Sequence, residues 1–484
     1  MDQQVSIKKN FFMNAFLNAS LFIFPLITFP YVSRILTPVG TGKVAFASST
    51  ISYFSMVALL GIPTYGIRAC ARVRENKEEL SKTVHEIFFI NLVMTVLSYI
   101  ALFIAMFTVA KLGQEKLLLV VSSATMFFNL LGMDWLYKAL EQYSYITKRS
   151  IFFKFVSLAL IFVLVHKQGD YVLYALTTVI ASVGSNVLNF INVRKYITFK
   201  RMPSYNIKQH LKPILVFFAM SVATTIYTNL DTVMLGFMQG NEEVGYYNAA
   251  VKVKTIVVSL VTSIGTVLLP RVSYYIEKKM NQEFKAVTAK ALNLVVLMAL
   301  PLVIYFMTYA KPAVVFLSGD AYLNAVLPMQ VIMPTVFLIG ITNIMGIQIL
   351  IPQGRESMVL LSEVVGAIVD LILNTILIPI CGSTGAAIGT LAAEFAVLVV
   401  QAIALRGFMR DIVKRLKLGK IILACVLGFA AAWGIARIPF GTNVLELIVT
   451  GFVFFGVYGM VLLALKEPLM YESFEQVKNK IKKR

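Results

Sequence analysis

From Phe11 to Leu465 the chain repeats one pattern: apolar stretches of about 20 residues, each long enough for a helix to cross a bilayer, separated by short polar breaks. Few folds survive that pattern. Hydrocarbon holds no water to pair backbone N–H and C=O groups, so a crossing segment must satisfy them internally or in a closed barrel. Continuous apolar runs, rather than short alternating ones, select helices. Fourteen segments meet the criterion, near 11–33, 44–67, 87–110, 117–138, 151–166, 171–193, 213–238, 245–269, 291–310, 326–351, 357–379, 385–405, 421–438 and 443–465. Hydrophobic residues form 58% of the chain and charged ones 14%, against about 25% charged in soluble domains. A soluble fold is excluded. The sequence predicts an all-α polytopic membrane protein of about 14 transmembrane helices.

A net charge of +20 would point to nucleic acid in a soluble protein; here its placement gives orientation instead. Alternating the loops with the N-terminus inside puts 35 of the 44 Lys and Arg residues on one side and 7 on the other, with Lys252 and Lys254 inside a helix. Basic loops stay cytoplasmic during insertion, so both termini are expected inside. Lys8 and Lys9 precede a first segment with no small-residue cleavage site, so that segment is expected to remain as helix one. Cys70, Cys381 and Cys425 have neither metal-like nor redox-like spacing. No metal, cofactor or nucleic acid is expected.

The loops are short and leave no room for a soluble domain. A weak internal repeat displaced by 203 positions pairs Gly42 with Gly245, Ala47 with Ala250 and Arg68 with Arg271, each at the same place in a two-helix unit. An offset of six helices preserves orientation, as in parallel repeats of alternating-access transporters. The organisation expected is an N-terminal lobe over 1–205 (helices 1–6), a second lobe over 206–410 (helices 7–12), then helices 13 and 14 with a basic tail over 411–484.

Polar residues within the segments fall in stripes. Helix six carries Thr178, Ser182, Ser185, Asn189 and Asn192; helix seven Ser221, Thr225, Thr228 and Asp231; helix eight Lys252, Thr255, Ser259, Thr262 and Thr266. Helix eleven carries Glu363, Gly366, Asp370 and Asn374, and helix twelve Thr390, Glu394 and Gln401. Each set lies on one helix face. A lone Ser or Thr usually bonds back to its own backbone, but stripes on five helices predict a shared hydrated space. Helices thirteen and fourteen, nearly without such residues except Thr450, are expected to face lipid. Burying a charge there costs at least ~2.5–3.5 kcal/mol, which singles out Asp231, Lys252, Glu363, Asp370 and Glu394. Asp231 and Lys252 sit at similar depth, which suits either a structural ion pair or a site where substrate or proton competes for one partner. Arg34, Arg68 and Arg271 lie near helix ends, where interfacial anchoring is the plainer role.

The stretch Phe29-Pro30-Tyr31-Val32-Ser33-Arg34-Ile35-Leu36, with Gly42 and Gly61-Ile62-Pro63-Thr64-Tyr65-Gly66-Ile67-Arg68, resembles the start of Wzx-type polysaccharide flippases of the multidrug/oligosaccharidyl-lipid/polysaccharide exporter superfamily. Asp134-Trp135, Glu141, Tyr145-Ile146-Thr147-Lys148-Arg149, Asn229 to Gly236, Leu269 to Ser273 and Gln348 to Glu356 extend the resemblance along almost the whole chain. The resemblance implies a V-shaped, two-lobed fold in a bacterial cytoplasmic membrane. It also implies movement of undecaprenyl-diphosphate-linked oligosaccharide repeat units from the inner to the outer leaflet for capsule or O-antigen synthesis, by alternating access coupled to H+ or Na+. A polysaccharide polymerase and chain-length machinery are the implied partners. A diphosphate needs cations, and arginine grips it with paired hydrogen bonds. Arg34, Arg68, Lys252 and Arg271 are therefore the expected diphosphate contacts, with Asn189, Thr228 and Ser259 toward the sugar. Asp134, Asp231, Glu363, Asp370 and Glu394 are the expected ion-coupling or gating residues. A peptidoglycan lipid-precursor flippase or a multidrug exporter of the same superfamily remains open as an alternative. From a different class, a membrane-embedded polysaccharide polymerase would want a large extracytoplasmic loop, and the sequence has none.

The orientation is tested with single cysteines in a cysteine-free background. One at Thr384 should react with an impermeant thiol reagent added to intact cells, and one at Asn206 should not. Labelling at Asn206 with Thr384 protected would invert the topology.

Overall fold

A computed structural model describes residues 7–278, 280–408, 418–472 and 474–475; the side chains of 7–12, 14–16, 18, 19, 21, 22, 264–271 and 273 lie outside the description. Among the described residues every regular element is helical. Two compact units divide the chain, Met1–Gly245 and Tyr246–Arg484. The first holds α1 (Ile7–Leu59), α2 (Ile62–Arg72), α3 (Lys77–Thr108), α4 (Ala110–Gln114), α5 (Lys116–Gly132), α6 (Asp134–Ala139), α7 (Tyr143–Leu164), α8 (Tyr171–Val183), α9 (Asn186–Asn192) and α10 (Lys208–Met238). Helix α11 (Asn241–Glu277) leads into the second. There follow α12 (Asn281–Thr308), α13 (Ala310–Ser318), α14 (Val326–Ile332), α15 (Thr335–Asn343), a π-helical stretch Ile344–Leu350, α16 (Glu356–Ala404), α17 (Leu418–Ile435) and α18 (Asn443–Ala464).

All fourteen apolar segments fall on helix. Among the described residues, eight helices are long and apolar enough to cross a membrane, or nine when a bent pair around Pro334 counts as one span. The smaller number reflects how the segments join. Ile23–Arg72 joins the end of the first segment to the second, Glu356–Ala404 contains two, Lys116–Gly132 is one of the shorter apolar helices, α7 carries Lys148, Arg149 and Lys154, and α11 carries Lys252 and Lys254 with part of its length outside the described side chains. The long helices turn at identifiable residues. Helix α1 breaks at Thr37 (φ 58°), directly before Pro38, whose ring denies its predecessor the helical conformation. Helix α16 breaks at Gly382 (φ 54°), a left-handed backbone that glycine adopts without a Cβ penalty.

The boundary between the compact units follows α10. That helix, the seventh apolar segment, packs against α1 and α2 in the first unit. The first core gathers Ile62, Cys70, Leu80, Ile87, Leu136 and Ile214 from α2, α3, α6 and α10. In the second unit Val296, Leu297, Ile421, Cys425, Tyr458 and Leu462 join α17 and α18 to α12. Helices α17 and α18 therefore face outward on one side only. Phe452 is 79% exposed, a surface suited to lipid, whereas Thr450 is completely buried beside Tyr305 and donates to the Glu446 carbonyl at 2.6 Å. Thr450, the polar exception on helix fourteen, is thus held away from lipid: Tyr305 and Tyr458 draw that face of α18 inward by hydrogen-bonding to the Leu447 and Leu297 carbonyls.

One crossing in the first unit has no room for a side chain. A Cβ on Gly42 would overlap the Asn241 carbonyl oxygen, and one on Gly245 the Pro38 carbonyl. These are the two glycines that the repeat pairs, and small residues let membrane helices approach this closely. Gly42→Ala should destabilise the protein by about 1–3 kcal/mol through overpacking, read as a lower melting temperature in detergent. Gly456→Ala, with no atom within 4 Å of the new Cβ, should not. Equal melting temperatures would contradict the tight crossing.

Candidate substrate-binding site

Inside the first unit two adjoining cavities, of about 370 and 250 Å³, share Ser52, Ser55 and Thr125. Helix α10 contributes Ser221, Thr225 and Asn229 to the larger, and α8 contributes Thr178 and Ser182 to the smaller. The stripes of helices six and seven thus line polar space. Two further stripes, missed in the sequence analysis, complete it: Ser48, Ser52 and Ser55 on α1, and Ser122, Thr125 and Asn129 on α5. Their spacings of three and four match those of helix six and were legible.

Five of the lining hydroxyls are already satisfied by their own helix. Ser52 donates to the Ser48 carbonyl at 2.9 Å, Thr125 to Ser122 at 2.6 Å, Thr178 to Ala175 at 2.7 Å, Ser182 to Val179 at 3.1 Å and Ser221 to Phe217 at 3.1 Å. Each oxygen keeps its acceptor lone pairs, and each proton can rotate away from the backbone toward a ligand. Such a wall is stable when empty and can either accept from or donate to a carbohydrate.

Next to this space lies a polar cluster that holds the helix breaks together. Arg149 on α7 is buried, and its Nη2 meets Asp134 Oδ1 at 2.5 Å. Its Nη1 donates to Ser185 Oγ at 2.7 Å and Asn186 Oδ1 at 3.1 Å. Asn189, completely buried, donates to Asp134 Oδ1 at 2.8 Å and to the Gly132 carbonyl at 2.6 Å. Asn189 and Asp134, predicted for different roles, meet here at the α5–α6 join. Lys154 is also buried and donates to Ser20 Oγ at 2.5 Å. Neither residue was singled out as a buried charge in the sequence: Arg149 lies just before the apolar segment that opens at 151, and Lys154 lies in its first turn, where a lysine can reach the interface.

In the second unit Asp370, Asn374, Thr390 and Glu394 are all buried on the two arms of α16, which fold back at Gly382. A Cβ on Gly389 would overlap Asn374 Oδ1 and lie 3.0 Å from Asp370 Oδ1. Tyr247 on α11 meets Thr390 Oγ1 at 2.9 Å, and Gln401 donates to Ser362 at 3.1 Å. Asp370 and Asn374 are thus brought together, with Glu394 one turn beyond Thr390. Glu363 and Lys252 are half-buried on their helices, and Ser259 donates to the Ile256 carbonyl at 2.7 Å. In the first unit Asp231 is buried, Thr228 is exposed and donates to Thr224 at 2.8 Å, and Arg34 is exposed and donates to the Pro30 carbonyl at 2.6 Å. Arg68 is exposed on a separate cleft, away from the hydroxyl-lined space. The Arg271 side chain lies outside the described residues.

A family model described as "Polysaccharide biosynthesis protein" matches residues 7–276. The chain belongs to this family. Its curated relatives include two named "Putative O-antigen transporter". The one from Escherichia coli K12 is 23% identical, over 81% of this chain and 94% of the relative. The one from Shigella dysenteriae is 26% identical, over 80% and 97% respectively. Among solved structures, the lipid II flippase MurJ in an inward closed conformation superposes with a TM-score of 0.74 at 15% identity, over 94% of this chain and all of that one. An inward-facing multidrug resistance MATE transporter gives 0.59 at 14% identity, over 81% and 95%. The fold of this polysaccharide biosynthesis protein is therefore that of the superfamily that the sequence resembles.

Removing Arg149 tests the cluster. Arg149→Met should destabilise the protein by about 2–3 kcal/mol, less than the loss of one partner from a fully buried pair because the Asp134 side chain is 44% exposed. The readout is the melting temperature of purified protein, and a value unchanged from wild type would remove the cluster's structural role.

Proposed function

We propose that this protein translocates undecaprenyl-diphosphate-linked oligosaccharides from the inner to the outer leaflet of a bacterial cytoplasmic membrane for surface polysaccharide synthesis, with both termini cytoplasmic. The observation that carries it is the hydroxyl- and amide-lined space within the helices of the first unit, in a chain of a polysaccharide biosynthesis family whose curated relatives are named for O-antigen transport. Sugars are recognised by groups that both donate and accept hydrogen bonds, and Ser52, Thr125, Thr178, Ser182 and Asn229 supply them. The lipid tail needs no protein cavity, since it can remain in the bilayer while the headgroup crosses. Arg34, Arg68, Lys252 and Arg271 are the cations assigned to the diphosphate. Asp370 and Glu394, buried on α16, are the foremost carriers of a coupling proton or sodium ion, with Asp134, Asp231 and Glu363 behind them. A polymerase and chain-length machinery would act on the product.

Filling the cavity tests the assignment. Ser52→Leu and Ser182→Leu add apolar bulk where the sugar would sit without adding charge. In cells that depend on this chain, each should lower surface polysaccharide at least tenfold and raise the lipid-linked oligosaccharide measured by mass spectrometry. Phe452→Leu, on the exposed face of α18, should do neither. Normal polymer from well-expressed Ser52→Leu and Ser182→Leu variants would overturn the assignment.

A further inference from the structure

Where α2 ends and α3 and α10 begin, the first unit has a second opening, a cleft of about 600 Å³. Its floor is a closed chain of hydrogen bonds. His210 Nε2 lies 2.6 Å from Glu86 Oε2, and His210 Nδ1 lies 2.6 Å from the Tyr65 hydroxyl. Glu86 also accepts from the Asn206 backbone N–H at 2.6 Å and from Gln209 Nε2 at 3.0 Å. Three donors converge on a carboxylate whose side chain is completely buried. Glu86 is therefore committed to tying α3 to α10, and does not pair with the cleft's cations.

Those cations are Arg68 and Arg72, one turn apart on α2, and Lys82 on α3. Among the described residues none of the three forms an ion pair, although Glu79 also lines the cleft; Lys82 Nζ reaches only Ser204 Oγ, at 3.4 Å. Like charges at this spacing on a helix repel by about 0.2–0.5 kcal/mol, and a shared anion would turn that repulsion into attraction. The position says what kind of anion. Two turns beyond Lys82 on α3, Phe89, Leu92 and Val93 are exposed, and just beyond the cleft on α10 so are Leu215 and Val216. The cleft thus stands at the boundary between polar surface and lipid-facing helix, where lipid phosphates lie. Guanidinium groups match phosphate oxygens with paired donors.

We propose that the cleft formed by Arg68, Arg72 and Lys82 binds the phosphate ester of a membrane-lipid headgroup, outside the hydroxyl-lined cavities. Two sources share that chemistry, a polyprenyl diphosphate awaiting translocation and an ordinary anionic phospholipid. The first rests on the function proposed above; the second does not.

Full-length protein in phosphatidylcholine nanodiscs is titrated with undecaprenyl diphosphate and, separately, with phosphatidylglycerol, and retained lipid is counted by native mass spectrometry. Arg68→Gln/Arg72→Gln should weaken retention at least tenfold. Loss confined to undecaprenyl diphosphate identifies a loading site for substrate, and loss confined to phosphatidylglycerol, or shared by both, identifies a general lipid-phosphate site. Arg74→Gln, which breaks an exposed pair with Glu141 outside the cleft, should bind as wild type. Lys82→Gln gives the same readout if the double variant is lost from the membrane. Unchanged retention of both lipids overturns the proposal. A wild-type protein that moves no lipid-linked sugar, yet loses phospholipid retention in the double variant, would sink the flippase assignment and leave the cleft standing.

Discussion

The bilayer core offers no partner to a backbone N–H or C=O, and the rest of this structure follows from that constraint. It turns every apolar segment into helix and concentrates departures from helix at a few residues. Thr37, Met133 and Gly382 take positive φ at joins or breaks, and Ile344–Leu350 winds as a π-helix. The polar groups gather beside these places. Arg149, Asp134 and Asn189 enclose the join at Met133, where Asn189 caps the Gly132 carbonyl. Asp370 and Thr390 lie on the two arms that Gly382 folds together. A site in hydrocarbon is most easily built where the backbone already needs side-chain partners.

The same constraint shapes the cavity wall. A hydroxyl left unpaired in a dry interior is costly, so Ser52, Thr125, Thr178, Ser182 and Ser221 each bond back to a carbonyl three or four residues earlier. These bonds are local and need no rearrangement of helices to open. The wall can therefore change partner by rotating one torsion, while Arg149 and Glu86, held by several donors or acceptors at once, cannot move without dismantling their surroundings. Mobile hydroxyls and fixed charges divide the work: the first suit a passing sugar, the second hold neighbouring helices together.

Basic residues take three distinct situations that composition alone merges. Arg149 is buried and paired with the half-exposed Asp134, Lys154 is buried with a hydroxyl, and Arg68 and Arg72 stand on an open cleft with no ion pair among the described residues. Of these three situations, the last leaves positive charge open to an incoming anion. A tally of lysines and arginines sets orientation through insertion; it says nothing about which of them is already answered by the fold.

The order of apolar segments, their helical state and the family resemblance were all legible in the sequence, because each depends on local periodicity or on motifs continuous in the chain. The Ser/Thr stripes on α8 and α10 were legible for the same reason, and those on α1 and α5 carried the same spacing without being read. Tertiary structure decided what spacing cannot reach. It placed Ser185 and Asn189, part of the same stripe as Ser182, on Arg149 and Asp134 instead of on the cavity, since helix α8 ends at Val183 and the chain resumes as α9. It buried Thr450 against Tyr305, 145 positions away in the chain, and joined Tyr65, Glu86 and His210 from three helices into one floor. A helix face is written in the residues that form it; what that face meets is written in other helices, and only packing brings the two together.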